Sequence, residues 1–218
     1  VIGTRIKRAA RRGARLIVAD PRRIELAEEA EIFLPLKPGT NVALYNALAC
    51  AILEEGLADR EFIAERTEGF EEWEASVRSC TPEKAAGVCG LDAGDIRRAA
   101  RIYAGARAAG IYYAMGVTQH TAGTESVMAL SNLALACGKL GKAGCGINPL
   151  RGQNNVQGAC DAGALPDVLP GYRKVSDPAA RAAAAAVWGR EPPAEPGLTV
   201  TEMIRAAETG HIGFLYVM

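Results

Sequence analysis

The sequence predicts an α/β protein: a parallel sheet with helices on both faces, followed by the start of a second α/β domain. Three observations carry this. Short β-rich runs alternate with helical periodicity, as in "RLIVAD", "EIFLPL" and "GIYYAMG". The first of these runs is continuously apolar over Leu16–Ala19, as a strand covered on both faces is. Turn residues that could grip a ligand follow each of them, where open parallel sheets bind ligands.

The elements follow in order. Ile2, Ile6, Ala9 and Ala10 recur at helical spacing, and Gly13 suits the residue after a helix end. "RLIVAD" is the first strand. "PRRIELAEEA" is a turn into a short helix, with Pro21 at its first position. "EIFLPL" is the second strand. Thr40 caps a helix from Asn41 to about Glu55, whose Val42, Leu44, Leu48, Ile52 and Leu53 predict burial. Residues 57–105 are helical, with Thr81 and Asp92 as caps and Pro82 at a first helical position. "GIYYAMG" is a strand ending at Gly116. "TESVMALSNLALACGKLG" is a long helix with Gly141 near its end. From Lys142 to Arg173 no periodicity is visible, and such a long loop is functional or joins domains. We place a boundary there: residues 1–150 form the first α/β domain, and 151–218 an active-site loop with part of a second. Helices near Ala179–Trp188 and from Thr201, then a strand "IGFLYVM", complete the chain.

Composition narrows the function. The 25 basic and 25 acidic residues cancel, which argues against a dedicated nucleic-acid or membrane-surface protein. Eight of the first 23 residues are Arg or Lys; they predict a solvated helix face, or otherwise a phosphate site. The six cysteines form no CxxC pair, so neither a zinc ribbon nor a short-spaced cluster motif is expected. We read them as reduced and mostly packed in the core. No apolar run reaches ~18 residues, so no membrane span is expected. No signal peptide is visible; a cytoplasmic setting is expected, with periplasmic export as the alternative. The abrupt start, without Met, and the abrupt end suggest an internal section of a longer chain.

Four segments carry chemistry. Asp20 ends a strand, where an acid can reach ribose hydroxyls or simply make a turn, and Arg22 and Arg23 follow it. Lys37–Asn41 opens a helix at Gly39, a place for an anion or for simple capping. Met115–His120 follows the third strand: Gly116 permits close approach, Gln119 offers donors and an acceptor, and His120 is a catalyst or a cap. "NPLRGQNNVQGACDAGALP" (148–166) is the most specific. It has one cation, Arg151, able to hold an anion at two points. Gln153, Asn154, Asn155 and Gln157 could read a heteroaromatic edge.

These motifs carry a resemblance. "MGVTQHTAGTESVMALSNLALACGKLGKAGCGINPLRGQNNVQGACDAGALPDVLPGY", with "VADPRR", "LKPGTN" and "RTEGFEEW", resembles the catalytic subunits of molybdenum- or tungsten-dependent formate dehydrogenases, in the molybdopterin oxidoreductase family. The likeness covers essentially the whole chain. It departs at Ala162, where the pattern has Met, and at Asn41, where many relatives carry Asp. The resemblance implies a Rossmann-like dinucleotide-binding domain and a bis-(molybdopterin guanine dinucleotide) centre with Mo or W. It implies that Asp20, Arg22, Gly39 and Asn41 face a guanosine end. Met115, Gly116 and Gln119 would lie along the same cofactor, Gln153 would approach the pterin, and Arg151 would hold formate. It also implies a metal-ligating Cys or selenocysteine and a [4Fe-4S] motif upstream of these residues, and partners carrying Fe–S clusters or flavin. A section without those parts is expected to be inactive alone. Two other readings stay open: a nucleotide- or pterin-binding module without redox chemistry, and a related molybdoenzyme acting on another substrate such as nitrate. The 151–161 stretch favours formate.

Overall fold

Helix α1 (Ile2–Ala10) lies on the surface with no buried residue. Its Lys7 pairs with Glu25, and just beyond the helix Arg11 pairs with Glu29 and Arg15 with Glu31. Such exposed pairs contribute at most about 1 kcal/mol each. Of the eight cations expected on a solvated helix face, Arg5, Lys7 and Arg8 lie on α1, and the other five lie beyond its end. The computed structural model describes residues 2–217 and divides into two compact units, Val1–Leu150 and Arg151–Met218.

In the first unit, β1 (Ile17–Ala19) runs parallel to β2 (Ile32–Leu34), with Ile17 opposite Ile32 and Ala19 opposite Leu34. The link between them holds only a 3-10 turn at Glu25–Glu28. Pro21 does not open a helix, because the Asp20 carboxylate captures the Arg22 N–H at 2.8 Å and makes a turn of residues 20–22. Helix α2 (Asn41–Glu54) is central, with Leu44, Ala47, Ala51 and Ile52 fully enclosed. Replacing Leu44 by Ala would remove roughly 2–5 kcal/mol.

Four helices follow: α3 (Arg60–Arg66), α4 (Phe70–Val77), α5 (Pro82–Cys89) and α6 (Ala93–Gly105). Thr81 and Asp92 accept the Lys84 and Asp95 N–H groups, so both expected caps are made. Next come β3 (Gly110–Tyr113), the single turn α7 (Met115–Thr118), α8 (Gly123–Ala136) and β4 (Gly146–Pro149). β4 pairs parallel with β3. Helices α5, α6 and α8 pack on α2. Residues of both strand pairs, Leu34 and Ile111 among them, meet one core with Leu44 and Ile96.

The α/β class is observed, with a difference in the sheet. Among the described residues it is two separate two-stranded parallel pairs, not one continuous ladder. Strands of three or four residues span only a small patch, and the helices of the α2 core fill the rest.

In the second unit, α9 (Val156–Asp161) and the antiparallel pair β5 (Val168–Leu169) and β6 (Arg173–Lys174) lie inside the stretch expected to be structureless. Helix α10 (Pro178–Trp188) is capped by Asp177, and α11 (Val200–Glu208) by a Thr199–Glu202 capping box. Leu169, Val175, Ala180 and Ala184 form a small core. The final strand is not formed over residues 212–217, which have no ladder partner; Met218 lies outside the described residues. No described helix is long and apolar enough to cross a membrane. All six cysteines are free; Cys50, Cys89 and Cys137 are buried and the other three half-buried.

Candidate functional site

Asp20 and the Lys37–Asn41 turn follow the neighbouring strands β1 and β2, so parallel pairing brings them to one sheet edge. The Asp20 N–H donates to the Leu34 carbonyl at 3.3 Å. One Asp20 oxygen is taken by the Arg22 N–H, and the Arg22 guanidinium stands 3.6 Å away, almost fully exposed. Arg23 stacks over Phe33 at 5.6 Å.

The second turn is tied to α5, where the Lys37 N–H donates to the Cys89 carbonyl at 2.9 Å. Gly39 has φ +84°, a conformation that favours glycine, and open space lies over it. Thr40 occupies the N-cap position, but its hydroxyl donates backward to the Lys37 carbonyl instead of capping α2. Asn41 is 9% exposed, and its side chain makes no hydrogen bond among the described residues. The Asn41 amide still reaches solvent: among the described residues the Tyr103 hydroxyl alone is an enclosed side-chain polar atom without a partner.

The Met115–Gln119 segment sits at the carboxyl end of β3. Met115 is exposed, and a Cβ placed on Gly116 would meet nothing within 4 Å. Gln119 is exposed, with only its backbone N–H engaged, to the Met115 carbonyl. His120 places Nε2 2.9 Å from the Gly116 carbonyl, a local closure of this turn. Gly123 lets the chain double back: a Cβ there would lie 2.1 Å from the Thr118 carbonyl oxygen.

In the second unit, Arg151 is exposed and has no acid within 4.0 Å among the described residues. Its Nη2 donates to Gln157 Oε1 at 3.4 Å. Gln153 is exposed and unbonded. Gln157, read from sequence only as a ring reader, also donates to Asp161 and to Tyr172. Sequence reasoning gave Tyr172 no role; its only signal is the turn dipeptide Pro170–Gly171 just before it.

A model of the molybdopterin oxidoreductases matches residues 1–218. The chain belongs to the molybdopterin oxidoreductase family. It is 48% identical to formate dehydrogenase H of Escherichia coli and 50% identical to the F420-dependent formate dehydrogenase subunit alpha of Methanocaldococcus jannaschii. Both matches cover 100% of this chain but only 31% and 32% of those proteins. The chain thus spans about a third of the length of these curated relatives. Among solved structures, acetylene hydratase from Pelobacter acetylenicus is similar, with TM-score 0.61 and 36% identity over 63% of this chain and 19% of that one.

Membership in this family implies a molybdopterin cofactor carrying molybdenum or tungsten. The residues of the first unit fit the organic part of such a group. A near-buried unpaired amide at Asn41, an exposed guanidinium at Arg22 and two uncrowded glycines suit a phosphate-linked heterocycle. Among the described residues no group of three or more His, Cys, Asp or Glu is placed to hold a metal. A groove of about 790 Å³ lies beside α1, lined by Lys7, Arg8, Arg11 and Glu25. Three of those four are already ion-paired, and we do not place the ligand there.

Proposed function

We propose that this chain is part of the catalytic subunit of a formate dehydrogenase that oxidises formate to carbon dioxide. The observation that carries the reading is Arg151: an exposed guanidinium without an acid partner, in a loop of a chain 48–50% identical to two formate dehydrogenases. Residues 1–150 bind one dinucleotide of a bis-(molybdopterin guanine dinucleotide) centre. Residues 151–218 supply the substrate loop and part of a second α/β domain.

Each residue has a defined task. Asn41 and Asp20 take hydrogen bonds of the guanosine end, and Arg22 takes phosphate charge. Gly39 and Gly116 let the cofactor approach the backbone. Met115 and Gln119 lie along it, and Gln153 reaches the pterin. When bound, the metal would supply a two-electron acceptor, and a [4Fe-4S] cluster with Fe–S- or flavin-bearing partner subunits would accept the electrons. Arg151 binds and orients formate through paired N–H···O contacts. Formate loses two electrons and one proton as it becomes carbon dioxide. The anion becomes neutral, so the same cation that holds the substrate releases the product.

The test is on the metal-loaded holoenzyme. It is expected to reduce an artificial acceptor with formate, and acid treatment should release a pair of guanine nucleotides per metal ion. Turnover with nitrate but not formate would overturn the substrate assignment. Absence of guanine nucleotide would overturn the dinucleotide assignment.

A further inference from the structure

We propose that Gln157 is a positioning residue for Arg151, itself fixed by Asp161 and Tyr172. This rests on the reading of Arg151 as the formate clamp. Gln157 projects from α9, and every polar atom of its amide is engaged. Oε1 accepts from Arg151 Nη2 at 3.4 Å, while Nε2 donates to Asp161 Oδ1 and to the Tyr172 hydroxyl, both at 3.2 Å. The amide can point only one way. Flipped, its N–H groups would face a guanidinium that has only donors, and its oxygen would face a carboxylate that has only acceptors.

The choice of an amide has a chemical reason. A neutral acceptor directs the guanidinium without neutralising it. A carboxylate at the same place would pair with Arg151 and compete with formate. The amide also stands between Arg151 and Asp161, whose oxygens make no ion pair with Arg151 within 4.0 Å.

The backbone points to the same place. Asn155 (φ +50°) and Tyr172 (φ +59°) are the two non-glycine residues with positive φ among the described residues. Asn155 precedes α9 and sets its start. Tyr172 follows Gly171, whose N–H donates to the Asp161 carbonyl at 2.8 Å. An aromatic residue in the left-handed region persists only when its surroundings hold it there. Here the Asp161 carbonyl and the Gln157 amide do so.

A double-mutant cycle on the holoenzyme decides the matter. Gln157→Leu is expected to raise the formate KM about three- to tenfold with kcat within about twofold. Gln157→Glu should raise it further, and Tyr172→Phe should give a smaller rise in the same direction. In an Arg151→Lys background, Gln157→Leu should add less than about twofold. If Arg151→Lys harms formate kinetics but Gln157→Leu acts equally in both backgrounds, the positioning role is wrong and the clamp stands. If Arg151→Lys has no effect, the clamp itself fails. A Gln157→Glu enzyme with wild-type KM also overturns the proposal. Should Gln157→Leu not fold, Tyr172→Phe decides: an unchanged KM refutes the anchor role.

Discussion

Replacing Arg151 separates charge from geometry. Its single hydrogen bond is long, at 3.4 Å, and reaches a neutral amide at an exposed position. Removing it should cost folding less than about 0.5 kcal/mol, so the effect falls on function. Arg151→Lys keeps the charge and loses the planar two-point contact. A hydrogen bond to a charged group contributes about 1.5–3 kcal/mol, which predicts a fall in kcat/KM of about 10- to 150-fold. Arg151→Gln also removes the charge. Two unit charges about 4 Å apart attract by about 4 kcal/mol at an effective dielectric of 20, or about a thousandfold. The assay is steady-state formate oxidation by the holoenzyme at fixed ionic strength, with metal content and melting temperature compared to wild type. A Lys variant with unchanged kinetics, or a Gln variant no worse than Lys, would refute the anion-clamp argument.

Three further predictions concern the scaffold. Gly123→Ala should destabilise by about 1–3 kcal/mol despite the better helix propensity of Ala, because the new Cβ meets the Thr118 backbone; a thermal melt equal to wild type would show that the 115–119 turn yields freely. Tyr103→Phe should be neutral or stabilising, since the buried Tyr103 hydroxyl has no partner among the described residues; a loss above about 1 kcal/mol would reveal one. Burial pushes the Cys137 thiol up to about 12 from its ordinary 9.0, so the folded state disfavours its ionisation. That contribution to stability is complete below pH about 9 and is lost as pH rises towards 12. Cys137 should therefore resist alkylation at pH 8, and labelling as fast as at half-buried Cys160 would contradict this.

What could be read from the sequence was local. Thr81, Asp92 and Gly13 mark helix ends through bonds or backbone angles spanning a few residues, and they act as expected. Pro21 misled because the Asp20 side chain outcompeted helix initiation. Thr40 was placed rightly at the start of α2, but its hydroxyl found a nearer acceptor behind it. The 142–173 stretch shows no periodicity because α9 and the β5–β6 pair are too short to display one, and β4 depends on a distant pairing. β4 needs β3, with Gly110 opposite Gly146, and such separation leaves no periodic signal. The terminal strand failed for the complementary reason: β propensity makes no ladder without a neighbour. For the proposed site, residue types single out Arg151 and the glycines. The part played by Gln157 was hidden, since its partners lie at positions 151, 161 and 172.

The charge distribution of the 148–166 loop bears on selectivity. It holds one cation, Arg151, one acid, Asp161, and otherwise only uncharged residues, five of them amides. A cluster of cations would favour multivalent anions such as phosphate over a monocarboxylate, and would recruit them from solution. A lone guanidinium matches a single carboxylate in charge and shape. In the proposed role it would also discriminate between formate and carbon dioxide, because carbon dioxide carries no charge for it to hold. An added cation in this loop, such as Asn154→Lys, should therefore make phosphate a stronger competitive inhibitor of formate oxidation. Phosphate inhibition equal to wild type in that variant would show that selectivity for a small monoanion arises from the shape of the site and not from its charge.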